Sequence, residues 1–84
     1  MERTEIETKL KPIFNALFDI PVSSINAETS PDNVDKWDSM QQLNLVTSIE
    51  DEFGVQLEAE QVIEMQNFGL IVEVLFEVVS RTKH

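Results

Sequence analysis

Apolar residues recur at helical spacing in three separate stretches of this chain, and that period constrains its fold more than any other feature. Ile6, Leu10, Ile13, Phe14, Leu17 and Phe18 follow i, i+4, i+7, i+8, i+11 and i+12, which gathers them on one face of a helix. Pro12 falls inside this pattern, so the helix is either kinked there or begins its regular part within a turn of Pro12. Leu45, Ile49 and Phe53 form a second stripe at i, i+4 and i+8, broadened by Leu43 and Val46. The predicted helix starts at Asp38-Ser39 with Asp38 as its cap, Gln41 completes a capping box, and Gly54 stops it. A link (Val55-Gln56-Leu57) then leads to a brief helix over Ala59–Glu64, with Val62, Ile63 and Met65 turned inward. Asn67 caps a last helix, predicted over Phe68–Arg81. Ile71, Val72, Val74, Val78 and Val79 would also suit a strand. Glu73, Glu77 and Arg81 recur every four residues, however, which gathers the polar groups on one helical face and allows a Glu77–Arg81 pair.

Between the first two predicted helices, Asp19–Asp38 holds Pro21, Pro31 and a dense run of Ser, Asn, Thr and Asp. This is a long loop, with Ile20, Val22, Ile25, Val34 and Trp37 as candidate anchors onto the core. A connection of about twenty residues in so small a domain is usually either functional or disordered. Three longer helices and one short one, joined by one long and two short connections, predict an all-α fold. Packing their stripes together gives a small four-helix bundle.

Composition narrows the function. The 84 residues fit one domain, spanning 1–84, and a fold of that size buries roughly 60–65% of its unfolded surface. That is too little for a deep, walled active site of the usual enzyme kind. Sixteen acids against six Lys and Arg give a net charge of −10. Such a surface repels phosphate backbones, which argues against nucleic acid and anionic membranes as partners. With no cysteine there is no disulfide framework, thiolate nucleophile or cysteine zinc site. The single histidine, His84, is the last residue, so the usual general base is missing and no catalytic or metal-ligating constellation is visible. No stretch approaches about 18 uninterrupted apolar residues, and Met1-Glu2-Arg3-Thr4-Glu5 lacks a signal-peptide profile. The expectation is a cytoplasmic monomer.

The charge is also unevenly placed. All six cations (Arg3, Lys9, Lys11, Lys36, Arg81 and Lys83) lie at or outside the borders of the segment from Lys36 to Arg81. Inside it are nine acids: Asp38, Glu50, Asp51, Glu52, Glu58, Glu60, Glu64, Glu73 and Glu77. A solvated face and a surface recognised by basic partners both account for this, and composition alone does not choose between them.

One site carries candidate chemistry. Asp38-Ser39-Met40 lies where the long loop meets a helix N-terminus, where free N–H groups and the helix dipole favour a phosphate. Taken alone, Asp-Ser before a helix is in most proteins only a cap. The context is more specific: the stretch from Asn33 to Gly54, with Asp38-Ser39-Met40, the apolar offsets after it and the closing Glu50-Asp51-Glu52-Phe53 cluster, resembles the acyl carrier protein family. The likeness continues through Val55-Gln56-Leu57 and the short acidic helix, and back through Leu17, Ile20 and Ile25.

The resemblance implies that a phosphopantetheinyl transferase attaches 4′-phosphopantetheine from coenzyme A to Ser39 Oγ, with Asp38 and Met40 beside it at the cofactor site. Acyl or aminoacyl groups would then ride on the arm as thioesters, between loading and condensing enzymes. The arm brings the sulfur that this chain lacks, and the transferase brings the catalysis that a chain without a usable histidine cannot. By the same resemblance, Glu50, Asp51, Glu60 and Glu64 match acids that contact basic patches on partner enzymes. Leu43, Val46, Ile49, Ile63 and Leu75 are core positions first, and in the family such positions also line a cavity for the cargo.

Three departures from the family pattern stand out. Met40 replaces the usual Leu, a swap that keeps volume. Gln41, Gln42 and Asn44 stand where fatty-acid carriers tend to place acids, and Trp37-Asp38 replaces a Gly-x-Asp approach to the serine. These differences favour a free-standing carrier in a specialised lipid, polyketide, aminoacyl or other secondary-metabolite pathway over the housekeeping fatty-acid role. Among rivals, a calcium sensor fails, because a loop over Asp32–Leu43 puts Val34 and Trp37 where an EF-hand needs a ligand and a glycine. A cofactor-free acidic helical adaptor that binds basic partners is the alternative.

Overall fold

The computed structural model describes residues 2–82. Met1, Lys83 and His84, which entered the reading of charge, bases and terminus, lie outside the described residues. A capping box opens the first helix, α1 (Arg3–Phe18): the Glu2 carboxylate accepts from the backbone at Glu5, and the Glu5 carboxylate accepts from the Glu2 N–H at 3.3 Å. The helix runs continuously across Pro12, so a start within a turn of the proline is ruled out. Ile6, Leu10, Phe14 and Phe18, four residues apart, are its buried stripe. Asp19 ends it in the left-handed region (φ 56°), and Asn15 Nδ2 reaches over to donate to the Ile20 carbonyl at 2.8 Å.

The long connection is a series of hydrogen-bonded turns. Asn26 Oδ1 accepts from the Glu28 N–H at 2.8 Å, the buried Thr29 Oγ1 from the Asn26 N–H at 3.0 Å, and Asn33 Oδ1 from the Ser30 N–H at 3.0 Å. Ile25, Val34 and Trp37 are buried anchors and Ile20 is half-buried. Val22 is not an anchor. It opens a 3-10 turn (Val22–Ser24) whose three residues are all exposed, because this turn carries the chain over the surface rather than into the core.

The second helix, α2 (Ser39–Phe53), ends at Gly54, whose φ of 64° is the left-handed conformation that glycine adopts without steric cost. A capping box of Glu58 and Gln61 starts the short α3 (Ala59–Glu64). In α3 only the flanking Met65 is fully buried; Val62 is half-buried and Ile63 is 69% exposed, against the expected inward turn of all three. Six residues expose most of their circumference, and one short face cannot bury three successive apolar side chains.

The fourth helix, α4 (Phe68–Thr82), confirms helix over strand and carries the Glu77–Arg81 pair. Its N-terminus is closed from two sides. Asn67 Oδ1 accepts from the Leu70 N–H at 2.8 Å, while the loop carbonyls of Thr29 and Ala27 accept from the Phe68 and Gly69 N–H groups at 2.8 and 3.0 Å. Gly69 permits this approach: a Cβ there would lie 3.1 Å from both the Cβ and the carbonyl oxygen of Ala27.

No strand occurs among the described residues, and the four helices enclose one hydrophobic core. Phe14 sits at its centre, edge-on to Phe18, Trp37 and Phe68 with ring centroids 5.2–5.3 Å apart, and Trp37 stacks on Phe18 at 5.2 Å. Ile71, Val72, Val74, Leu75 and Val78 of α4 pack on the same core. Away from it, the Arg3 guanidinium ties α1 to α4 by two hydrogen bonds to Glu73 (2.6 and 2.9 Å) while lying 4.0 Å from the Phe76 ring centroid.

Candidate functional site

Ser39 is the first residue of α2, and the two residues before it set its position. Trp37 is pinned in the aromatic cluster, 3% exposed, so the loop can deliver the next residue to one place only. Asp38 then caps the helix, its Oδ1 accepting from the Gln41 N–H at 2.9 Å. Ser39 follows with an exposed side chain, and among the described residues nothing hydrogen-bonds to its hydroxyl. The Asp38 side chain satisfies the Gln41 N–H, which leaves the Ser39 and Met40 N–H groups of the first turn without intrahelical partners. They form the positive end of the helix dipole beside an accessible hydroxyl.

The expected capping box at this helix is absent. Gln41 does not return to the Asp38 backbone; its Nε2 donates to the Leu17 carbonyl at 3.1 Å, bridging to the last turn of α1, and its Oε1 accepts from Asn44 Nδ2 at 2.7 Å. Gln42 also has a structural partner, with its Oε1 accepting from the Trp37 indole at 2.6 Å. In the sequence Gln42 was legible only as a missing acid, and Gln41 as a missing acid and a capping-box partner. Sequence gives no signal for their role, because it depends on groups brought up by the loop and by α1.

Ser39 opens onto a groove of about 630 Å³ between the loop and α3, whose walls include Trp37, Gln42, Val62, Ile63, Met65 and Gln66. Met40 stands beside it 73% exposed, and Leu43, one turn further along α2, is 66% exposed. The five positions expected to line a cargo cavity are therefore not brought together. Ile49 and Leu75 are fully buried in the core and Val46 packs half-buried against it, whereas Leu43 and Ile63 face solvent. The cause is geometric: a helical period marks a face, but α3 is too short to cover the part of α2 that carries Leu43.

The acids divide as well. Asp51, Glu60 and Glu64 are exposed. Glu50, the fourth acid of the expected docking set, is less free than the others. It is half-buried, and its Oε2 accepts from the Leu57 N–H at 2.8 Å, fastening the link after Gly54 to the end of α2. No group of three or more metal-ligating side chains occurs among the described residues, and no helix is long and apolar enough to cross a membrane.

The arrangement thus presents, among the described residues, a hydroxyl without a hydrogen-bond partner at a phosphate-favouring helix end. Residues 8–75 match the family described as the phosphopantetheine attachment site. The acyl carrier protein of Saccharopolyspora erythraea is 27% identical over 81 residues, which cover 96% of this chain and 85% of that protein. The solution NMR structure of the holo acyl carrier protein from Geobacter metallireducens superposes with a TM-score of 0.81 at 26% identity, covering 93% of this chain and 92% of that one.

Proposed function

The chain belongs to the phosphopantetheine-attachment family of acyl carrier proteins, and from that premise we propose that Ser39 is the residue that bears its arm. It is a carrier rather than an enzyme, and 4′-phosphopantetheine is its covalent cofactor. Phosphopantetheinyl transferase and acyl-handling biosynthetic enzymes are its partners in general.

The residues around Ser39 fit the group. Two open N–H donors stand beside the exposed hydroxyl, and the groove next to it combines apolar and amide side chains with the acidic Asp32 and Asp38. When bound, the arm supplies a terminal thiol that holds acyl groups as thioesters. Ser39 Oγ contributes the phosphodiester oxygen, and its proton passes to the transferase. Asp38 holds the first turn of α2 open toward that oxygen, and Trp37 fixes where the turn begins. Asp51, Glu60 and Glu64, together with the exposed apolar Met40, Leu43 and Ile63, offer basic partner enzymes a docking face.

In this proposal the domain, spanning 1–84, acts as a free-standing cytoplasmic monomer in a specialised lipid, polyketide or secondary-metabolite pathway with acyl or aminoacyl cargo. The support is the scarcity of acids on the half of α2 nearest Ser39. The observation that carries the whole reading is the exposed, unpartnered hydroxyl at the capped N-terminus of α2, inside the matched segment. Incubation with coenzyme A and a broad-specificity transferase, followed by intact-mass measurement, is expected to give a single phosphopantetheine adduct that Ser39→Ala abolishes. No adduct with several transferases would leave the cofactor-free adaptor. Efficient loading of the holo-protein by a fatty-acid malonyl transferase would contradict the specialised cargo.

A further inference from the structure

Gln42 is a groove residue whose polar ends are assigned by a side-chain partner. The Trp37 indole can only donate, so the hydrogen bond at 2.6 Å fixes the Gln42 carbonyl oxygen toward the core side of the groove. The amide nitrogen must then face the other way. It has no partner among the described residues, and no buried side-chain polar atom there goes unsatisfied, so this nitrogen is open to solvent. Trp37 is itself immobilised between Phe14 and Phe18, so the whole pair is rigid. Across the same groove Gln66 donates its amide to the Ile63 carbonyl at 3.3 Å, which leaves its own carbonyl oxygen outward. Val62, Ile63 and Met65 lie along the same groove. A donor held ready at the serine end of an apolar strip is the complement of a flexible chain of methylene and methyl groups interrupted by amides.

Resting on the assignment of the arm to Ser39, we infer that Gln42, oriented by Trp37, is a positioning residue for that arm. Its Nε2–H donates to an amide carbonyl of the arm and holds the arm along the groove of Trp37, Val62, Ile63 and Met65 between transfers. The occupant is the chain's own prosthetic arm, because the groove begins at the residue that anchors it. Gln42 therefore has two roles on its two ends, a structural one through its oxygen and a cofactor-directed one through its nitrogen. They are separable by substitution. Gln42→Glu keeps an acceptor for the indole and removes the donor, whereas Gln42→Met removes both at similar length.

The test compares the apo and holo forms of the full chain, isotopically labelled, with the adduct confirmed by intact mass. In the wild type the Gln42 side-chain amide and Trp37 indole resonances are expected to shift on modification. Nuclear Overhauser contacts should join the methyl groups of the arm to Val62 or Ile63. In holo Gln42→Glu the adduct should form fully and the indole resonance should stay near its wild-type position, while the arm-to-groove contacts are lost. In holo Gln42→Met the contacts should be lost and thermal stability lowered as well. Full modification with no shift at Gln42, or undiminished contacts in Gln42→Glu, would overturn the inference while leaving the arm on Ser39. Failure of the adduct to form would overturn both.

Discussion

The two ends of the Trp37-Asp38-Ser39-Met40 junction are built from similar residues and treated in opposite ways. On one side Phe14, Phe18, Trp37 and Phe68 interlock with almost no exposure, fastened by loop carbonyls and the Gln42 acceptor. On the other, Met40, Leu43 and Ile63 stand between 66% and 73% exposed around a six-residue helix. Both regions are apolar, so hydrophobicity alone does not separate them. What separates them is whether a second element covers the face. A carrier needs this division: the serine must be held in one place, while the surface around it must stay free to meet successive enzymes. Scattered exposed apolar residues are ordinary, and in the proposed docking face three of them, Met40, Leu43 and Ile63, accompany the exposed hydroxyl.

The comparison breaks most visibly at Trp37. Trp37→Ala removes the stacked ring and strands Gln42, and a loss of about 3–5 kcal/mol is expected. Against a total of about 5–15 kcal/mol for a domain this should move the urea midpoint far below that of the wild type. A midpoint close to wild type would mean that the loop is not the anchored frame described above.

Gly69→Ala probes the same frame from the other side. Its Cβ would press on Ala27 at 3.1 Å, so the loop must yield where it caps α4. A destabilisation of about 1–3 kcal/mol, read as a lower Tm, is the expected overpacking cost. An unchanged Tm would show that the approach of the loop is slack.

A smaller effect belongs to the Arg3–Glu73 tie. The hydrogen bonds from Arg3 hold the Glu73 carboxyl below the usual carboxylate range. A carboxyl whose pKa is lowered by folding stabilises the fold above its unfolded value and loses that contribution as pH falls through its folded one. Wild type should therefore exceed Glu73→Gln slightly at neutral pH, with the gap closing in acid and in high salt. A gap that persists well below the carboxylate range would remove the ion pair as its cause.

Least disturbed of all should be the stability of the exposed rim. Leu43→Ser and Ile63→Ser are expected to change unfolding free energy by no more than about 0.5 kcal/mol, yet to slow phosphopantetheinylation by a transferase. Large destabilisation with unchanged modification kinetics would make these residues core and undo the contrast.

The same contrast explains what the sequence could and could not disclose. The stripe Ile6, Leu10, Phe14 and Phe18, the Asp38 and Asn67 caps and the Gly54 stop were legible because each depends on neighbours within a turn or two. Gln41 and Gln42 were not. Their partners, the Leu17 carbonyl and the Trp37 indole, are brought to them by the path of the loop, and no local pattern encodes that path. Glu50 passed for a free acid because its partner is a backbone N–H beyond the turn at Gly54. Leu43 and Ile63 were assigned inward because period identifies a face without saying whether a wall stands opposite. The proposed attachment serine was singled out through resemblance and cap chemistry together; the structure adds the buried tryptophan two residues before it.

Peptide-level mass spectrometry of the enzymatically modified wild-type chain tests the central claim most directly. The account expects the phosphopantetheine adduct on the peptide containing Ser39, with fragment ions placing it on that residue. An adduct mapped to Ser23, Ser24, Ser30, Ser48 or Ser80, or an unmodified Ser39 peptide after exhaustive treatment, would contradict it.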